Sequence, residues 1–120
     1  MTIIDADTWV DAAPLTALTP ERGTAVLVGE HQVAIFLLAD GSLHAIDNHD
    51  PISGANVLSR GIVGDRAGVP VVASPIFKQC FDLASGRCLD HPDVSVLIHQ
   101  ARIDGSRVLV RLGPSEPEPA

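Results

Sequence analysis

The sequence predicts an all-β domain: an antiparallel sandwich or barrel carrying a smaller, loop-rich insertion. Three observations lead there. Short runs of Val, Ile, Leu and Ala alternate with turns about every eight to twelve residues, the rhythm of an all-β chain. The Asp-Gly pairs Asp40-Gly41 and Asp104-Gly105 each sit between two such runs, a strong hairpin signal. No stretch shows the periodicity of an amphipathic helix.

In chain order, Met1 to Thr8 reads as a loose lead-in. Trp9-Val10-Asp11-Ala12 reads as a short strand, and Pro14 to Leu18 has room for only a turn of helix. Pro20-Glu21-Arg22-Gly23 is a turn. Thr24–Val28 and Gln32–Leu38, both β-branched and aliphatic, form a hairpin around Gly29-Glu30-His31. Leu43–Ile46 is the third arm of this meander. Asn48 to Arg60, rich in Asp, Asn, Ser, Gly and Pro, is loop. Gly61–Asp65 and Val69–Ala73 are short strands around the turn Arg66-Ala67-Gly68, with Pro70 marking a strand start or an edge. Cys80–Leu83 and Arg87–Leu89 form a small hairpin. Val96–Ile103 and Arg107–Leu112 close the domain as a second hairpin. Gly113 to Ala120 has no core former and is expected to be disordered. The expected organisation is a single domain over residues 1–112, an inserted subdomain at about 47–90 and a tail over 113–120.

Composition narrows the function. A chain of 120 residues, 46% of them hydrophobic, is long enough for one self-sufficient core. A net charge of −7 with a single lysine, Lys78, opposes phosphate-backbone binding. One Trp, three Phe and no Tyr leave few stacking platforms for single strands. Nucleic acid is therefore excluded as a partner. No apolar run reaches the roughly 20 residues of a membrane span, and no secretory leader is visible at Met1-Thr2-Ile3-Ile4-Asp5. The expectation is a cytoplasmic protein with Cys80 and Cys88 reduced.

The informative stretch is Asp47 to Asp90. It contains two loops, Asp50-Pro51-Ile52 and Ser74-Pro75-Ile76-Phe77, then Phe81-Asp82-Leu83 and a turn at Gly86. The layout resembles a Rieske subdomain, in which two Cys and two His from two loops hold a [2Fe–2S] cluster. Here Asp50 and Ser74 stand at the two Cys positions, and Ile52 and Phe77 at the two His positions. The runs Asp47-Asn48-His49-Asp50-Pro51, Ser53-Gly54-Ala55, Leu58-Ser59-Arg60-Gly61-Ile62-Val63-Gly64-Asp65 and Ser74-Pro75-Ile76-Phe77-Lys78-Gln79 go further. Together with Phe81-Asp82-Leu83 they resemble the small subunit of assimilatory NADH-dependent nitrite reductase, a Rieske-like family in which all four ligands are missing. The resemblance covers about Trp9 to Leu112.

That resemblance implies a Rieske-like fold without a cluster and a non-catalytic accessory subunit. Its partner would be a large subunit carrying FAD, siroheme and an iron–sulfur cluster, which reduces nitrite to ammonium with NADH in nitrate assimilation. No catalytic residue, cofactor site or metal site is expected in this chain. At the four ligand positions, Ile52 and Phe77 are expected to fill the space of the two imidazoles. Asp50 and Ser74 are expected to hydrogen-bond opposing loop backbone. Pro51, Ile52, Ile76, Lys78 and Gln79 are expected to form the contact with the large subunit, an apolar area with one cation at its rim.

Other readings compete. A Rieske-type ferredoxin would need the missing ligands, and a stand-alone protein-binding module would need no reductase. Asp47 and Asp50, in a turn-rich loop, read as turn formers and not as an acid/base pair, and His49, with no nucleophile candidate nearby, as a surface or capping histidine. Cys80, Cys88 and His91 match no common zinc spacing. A Cys80–Cys88 disulfide is conceivable across the small hairpin, against the reducing context. Gly61, Gly64 and Gly68 are not followed by a helix and so make no phosphate loop.

Overall fold

A computed structural model describes residues 8–113 of the chain. Most of the expected lead-in and tail lie outside the described residues. Among the described residues, nine strands and two single 3-10 turns follow in order: β1 (Val10–Pro14), a 3-10 turn (Leu15–Ala17), β2 (Gly23–Val28), β3 (His31–Leu37), β4 (Leu43–Asp47), a 3-10 turn (Leu58–Arg60), β5 (Ile62–Arg66), β6 (Val69–Ala73), β7 (Cys80–Asp82), β8 (Ile98–Asp104) and β9 (Arg107–Arg111). The strands form two antiparallel sheets. The larger runs β1-β9-β8-β4-β3-β2, and the smaller, built from the insertion, runs β5-β6-β7. β1 and β2, the two ends of the larger order, lie against each other, so the sheet curls into a nearly closed barrel.

The pleat of β3 explains how the two parts are joined. Val33 and Ile35 point into the barrel, where they pack with Leu18, Val28, Ala45, Val108 and Val110. Ala34 and Phe36, on the opposite face, pack with Ile46, Leu58, Val72, Phe81, Leu83 and Cys88 beneath the small sheet. All four of these β3 residues are fully buried. Side chains alternate across a strand, so one strand serves as the wall of two cores. Phe36, Leu58 and Phe81 show no exposed surface, and each such burial contributes about 1.5–3 kcal/mol. The approach of the insertion to the barrel requires a glycine. A Cβ on Gly23 would lie 2.3 Å from the Ser59 carbonyl oxygen, closer than any side chain tolerates. Gly86 is required for its own turn, with φ at +80° and a Cβ position 2.2 Å from the Val96 carbonyl oxygen.

Several local expectations need correction. Val28 pairs directly with His31, so the first hairpin turns on Gly29 and Glu30 alone and His31 opens β3. Likewise Asp104 pairs with Arg107 around Gly105-Ser106. Of the two readings of Pro70, the strand start holds and the edge does not: β6 begins at Val69 and is the central strand of its sheet. Proline is tolerated there as the second residue of the strand, and its carbonyl accepts from the Leu83 N–H at 3.0 Å. Arg87–Leu89 does not form a strand. Isolated bridges join Phe81 to Cys88 and Arg87 to Ser95, with the Asp82 N–H donating to the Arg87 carbonyl and the Leu89 N–H to the Cys80 carbonyl, while the Cys80 N–H donates to Asp90 Oδ2. Cys80 and Cys88 are free thiols.

Candidate functional site

The two loops of the insertion meet at one tip, and a single side-chain bond joins them. The Ser74 hydroxyl donates to Asp50 Oδ2 at 2.6 Å, with both residues buried. Asp50 Oδ1 accepts from the Ile52 N–H at 2.9 Å and the Ser53 N–H at 3.3 Å. Ser74 Oγ in turn accepts from the Ile76 N–H at 3.3 Å. Each loop also closes on its own backbone. The Gly54 N–H donates to the Asp50 carbonyl and the Lys78 N–H to the Ser74 carbonyl. Burial pushes the Asp50 carboxyl upward, but the Ser74 hydroxyl and the N–H groups of Ile52 and Ser53 outweigh it and hold it below the usual carboxylate range.

The residues at the two Cys positions therefore bond to each other and to their own loops, not to the backbone opposite. The residues at the two His positions part company. Ile52 packs partly buried against the core beneath the small sheet. Phe77 does not fill the site: 62% of its surface is exposed. The turn at Pro75–Phe77, tied down by Ser74 at both Ile76 and Lys78, aims its side chains outward. Of the expected contact residues, Pro51, Ile76 and Lys78 are exposed, with Lys78 in the left-handed region at φ 64°. Gln79 is buried, and its Oε1 has no hydrogen-bond partner among the described residues.

These residues do not suit a Rieske cluster. Such a centre needs two thiolates and two imidazoles. The tip offers a carboxylate and a hydroxyl bonded to each other, one aliphatic and one outward-facing phenyl ring. The two cysteines of the chain lie away from these positions, at 80 and 88.

A second polar cluster sits at the mouth of the barrel. The His31 ring Nε2 lies 2.5 Å, and the His99 ring Nε2 2.7 Å, from the same oxygen, Asp47 Oδ1. The two rings meet edge to face, with centroids 5.1 Å apart. The Gly113 N–H donates to His99 Nδ1 at 2.9 Å, which leaves Nε2 as the protonated nitrogen that donates to Asp47. Burial holds His99 below the usual histidine range, the His31 ring adding to it and the Asp47 carboxylate opposing it. The sequence reading missed this cluster and treated Asp47 as a turn former and His31 as a turn residue. The available signal was parity. His31 and Asp47 share the inward phase of Val33 and Ala45, so each is a polar residue at a core-facing strand position. His49, by contrast, is exposed and contacts Asn56 Oδ1 at 3.0 Å.

The comparisons with known proteins agree with this architecture. Residues 8–111 match the family model described as a Rieske-like [2Fe-2S] domain. The nitrite reductase (NADH) small subunit of Escherichia coli K12 is 38% identical over 104 residues, covering 86% of this chain and 96% of that protein. This chain belongs to the nitrite reductase (NADH) small-subunit family. Among solved structures, a proposed NADH-dependent nitrite reductase small subunit from Mycobacterium tuberculosis is 51% identical, with a TM-score of 0.81 over 86% of this chain and 93% of that one. The ferredoxin of carbazole 1,9a-dioxygenase from Nocardioides aromaticivorans is 27% identical, with a TM-score of 0.75 over 88% of this chain. The nitrite reductase large subunit of Klebsiella oxytoca also contains a stretch 37% identical to 102 residues here, and the chain spans only 11% of that protein. The small-subunit family thus has a relative built into a large-subunit chain. Its Rieske-like frame is present here with the Asp50–Ser74 bond at the cysteine positions.

Proposed function

We propose that this chain is the non-catalytic small subunit of an NADH-dependent nitrite reductase, acting in the cytoplasm in nitrate assimilation. Its partner is the large subunit, which carries the FAD, siroheme and iron–sulfur cluster and reduces nitrite to ammonium. The observation that carries this reading is the match to the Escherichia coli small subunit over 96% of its length. The homologous stretch inside the Klebsiella oxytoca large subunit supports the pairing. No helix of the described residues is long and apolar enough to cross a membrane.

The contact surface is the tip of the insertion. Ile76 and Phe77 are 44% and 62% exposed, beside exposed Pro51 and Lys78. The tied loops beneath hold them out without further ordering, which suits an apolar interface centre with a charged rim. Ile52 and Gln79 support the tip from inside. The test is co-elution of the chain with the purified large subunit, with nitrite-dependent NADH oxidation followed as the chain is added. Stoichiometric assembly that raises turnover is expected. Separate elution with no change in turnover would end the proposal.

The second reading is electron carriage, supported by the likeness to a dioxygenase ferredoxin and opposed by the residues at the four ligand positions. It requires iron in the purified chain and a Rieske-type electron paramagnetic resonance signal.

A further inference from the structure

Three ligand-type side chains from three strands converge at the barrel mouth: His31 of β3, Asp47 of β4 and His99 of β8. Their donor atoms all lie within 4.8 Å of one another, and among the described residues no other three His, Cys, Asp or Glu side chains do so. We propose that this cluster binds one divalent first-row transition ion, of which zinc is the type. The ligands are Nε2 of His31, Nε2 of His99 and a carboxylate oxygen of Asp47, with water completing the shell on the exposed side.

Four observations support it. Two imidazoles and one carboxylate form the borderline donor set that suits zinc, ferrous iron, cobalt or nickel and not magnesium or calcium. The scaffold is rigid, because β4 lies between β3 and β8 and the ladders fix Val33 opposite Asp47 and Ala45 opposite His99. Side-chain exposure rises from 2% at His99 through 18% at Asp47 to 39% at His31, giving an anchored inner ligand and an entry path from solvent. Asp47 has no Lys or Arg partner among the described residues, and its Oδ2 accepts no hydrogen bond there.

In the hydrogen-bonded form both Nε2 atoms donate protons to Asp47 Oδ1. Binding moves each proton to Nδ1 of its own ring, so no proton is released and nothing is oxidised or reduced. His31 is exposed enough to hold that proton toward water. His99 Nδ1 already accepts the Gly113 N–H, and once protonated it can no longer do so. Ion binding and the anchoring of Gly113 are therefore mutually exclusive, a linkage that an ion bound elsewhere on the chain would not produce.

The experiment titrates the chelator-stripped full chain with zinc by calorimetry and with cobalt by visible absorption. The Gly113 amide resonance is followed alongside. One ion per chain is expected, with a shift of Gly113. Asp47→Asn and the exposed-site His31→Gln should each weaken binding by at least about tenfold, the loss that even outer-shell partners of a metal site carry. Cys80→Ser and His91→Gln should leave it unchanged. Should Asp47→Asn fail to fold by circular dichroism, His31→Gln decides alone. Absence of binding overturns the proposal. So does equal affinity in His31→Gln, or loss of binding in Cys80→Ser or His91→Gln. None of these outcomes depends on assembly with the large subunit.

Discussion

Asp47 and Asp50 stand three residues apart and do opposite work. Asp50 is wholly enclosed, and both its oxygens are committed, one to Ser74 and one to its own loop. Asp47 lies at the barrel mouth with two imidazoles on one oxygen and the other oxygen without a hydrogen bond among the described residues. The first is a fastener and the second an open ligand set. Identical chemistry a few residues apart is thus separated by what encloses it. A buried carboxylate with both oxygens engaged rigidifies a loop, whereas one on a solvent-facing rim retains capacity for a ligand.

Breaking the fastener should have the largest effect. Asp50→Ala leaves the Ser74 hydroxyl and the N–H groups of Ile52 and Ser53 without their acceptor inside the tip, and should cost about 3 kcal/mol or more in urea unfolding. Ser74→Ala removes one bond to an ionised group and should cost about 1.5–3 kcal/mol.

The pH dependence of that second variant sharpens the contrast. Asp50 binds a proton less readily folded than unfolded. Its contribution is complete above the unfolded value near 3.9 and is lost as pH falls through its lower folded value. The gap between wild type and Ser74→Ala should therefore stay constant from about pH 7 to 5 and narrow below about pH 4. A gap that widens in acid would contradict an ionised Asp50.

Phe77 gives the smallest stability effect. Being exposed, Phe77→Ala should change unfolding by no more than about 0.5 kcal/mol. Phe77→Asp should nevertheless weaken assembly with the large subunit by more than about 1 kcal/mol, measured by titration of one subunit into the other. A large stability loss with unaltered assembly would reverse the assignment of this side chain.

The strands and hairpins were legible because Gly29, Asp40-Gly41 and Asp104-Gly105 are local signals set between β-branched runs. The tip was legible in its backbone through the resemblance alone, which implies that Asp50 and Ser74 stand on two facing loops. The direction of Phe77 was not. Occupying the position of a ligand says where the chain runs, and the turn pinned by the Ser74 hydroxyl and carbonyl decides where the ring points. The barrel-mouth cluster was illegible for another reason. Its members lie 16 and 52 residues from Asp47 along the chain, and only the register of three strands brings them together.

The double duty of β3 has a consequence for how the molecule comes apart. Because Val33 and Ile35 belong to one core and Ala34 and Phe36 to the other, neither can melt while the other keeps its wall. The insertion is thus an excursion in the chain and not an independent cooperative unit. Its amides and those of the barrel should exchange with solvent through one shared opening, with the slowest protons in the molecule on β3.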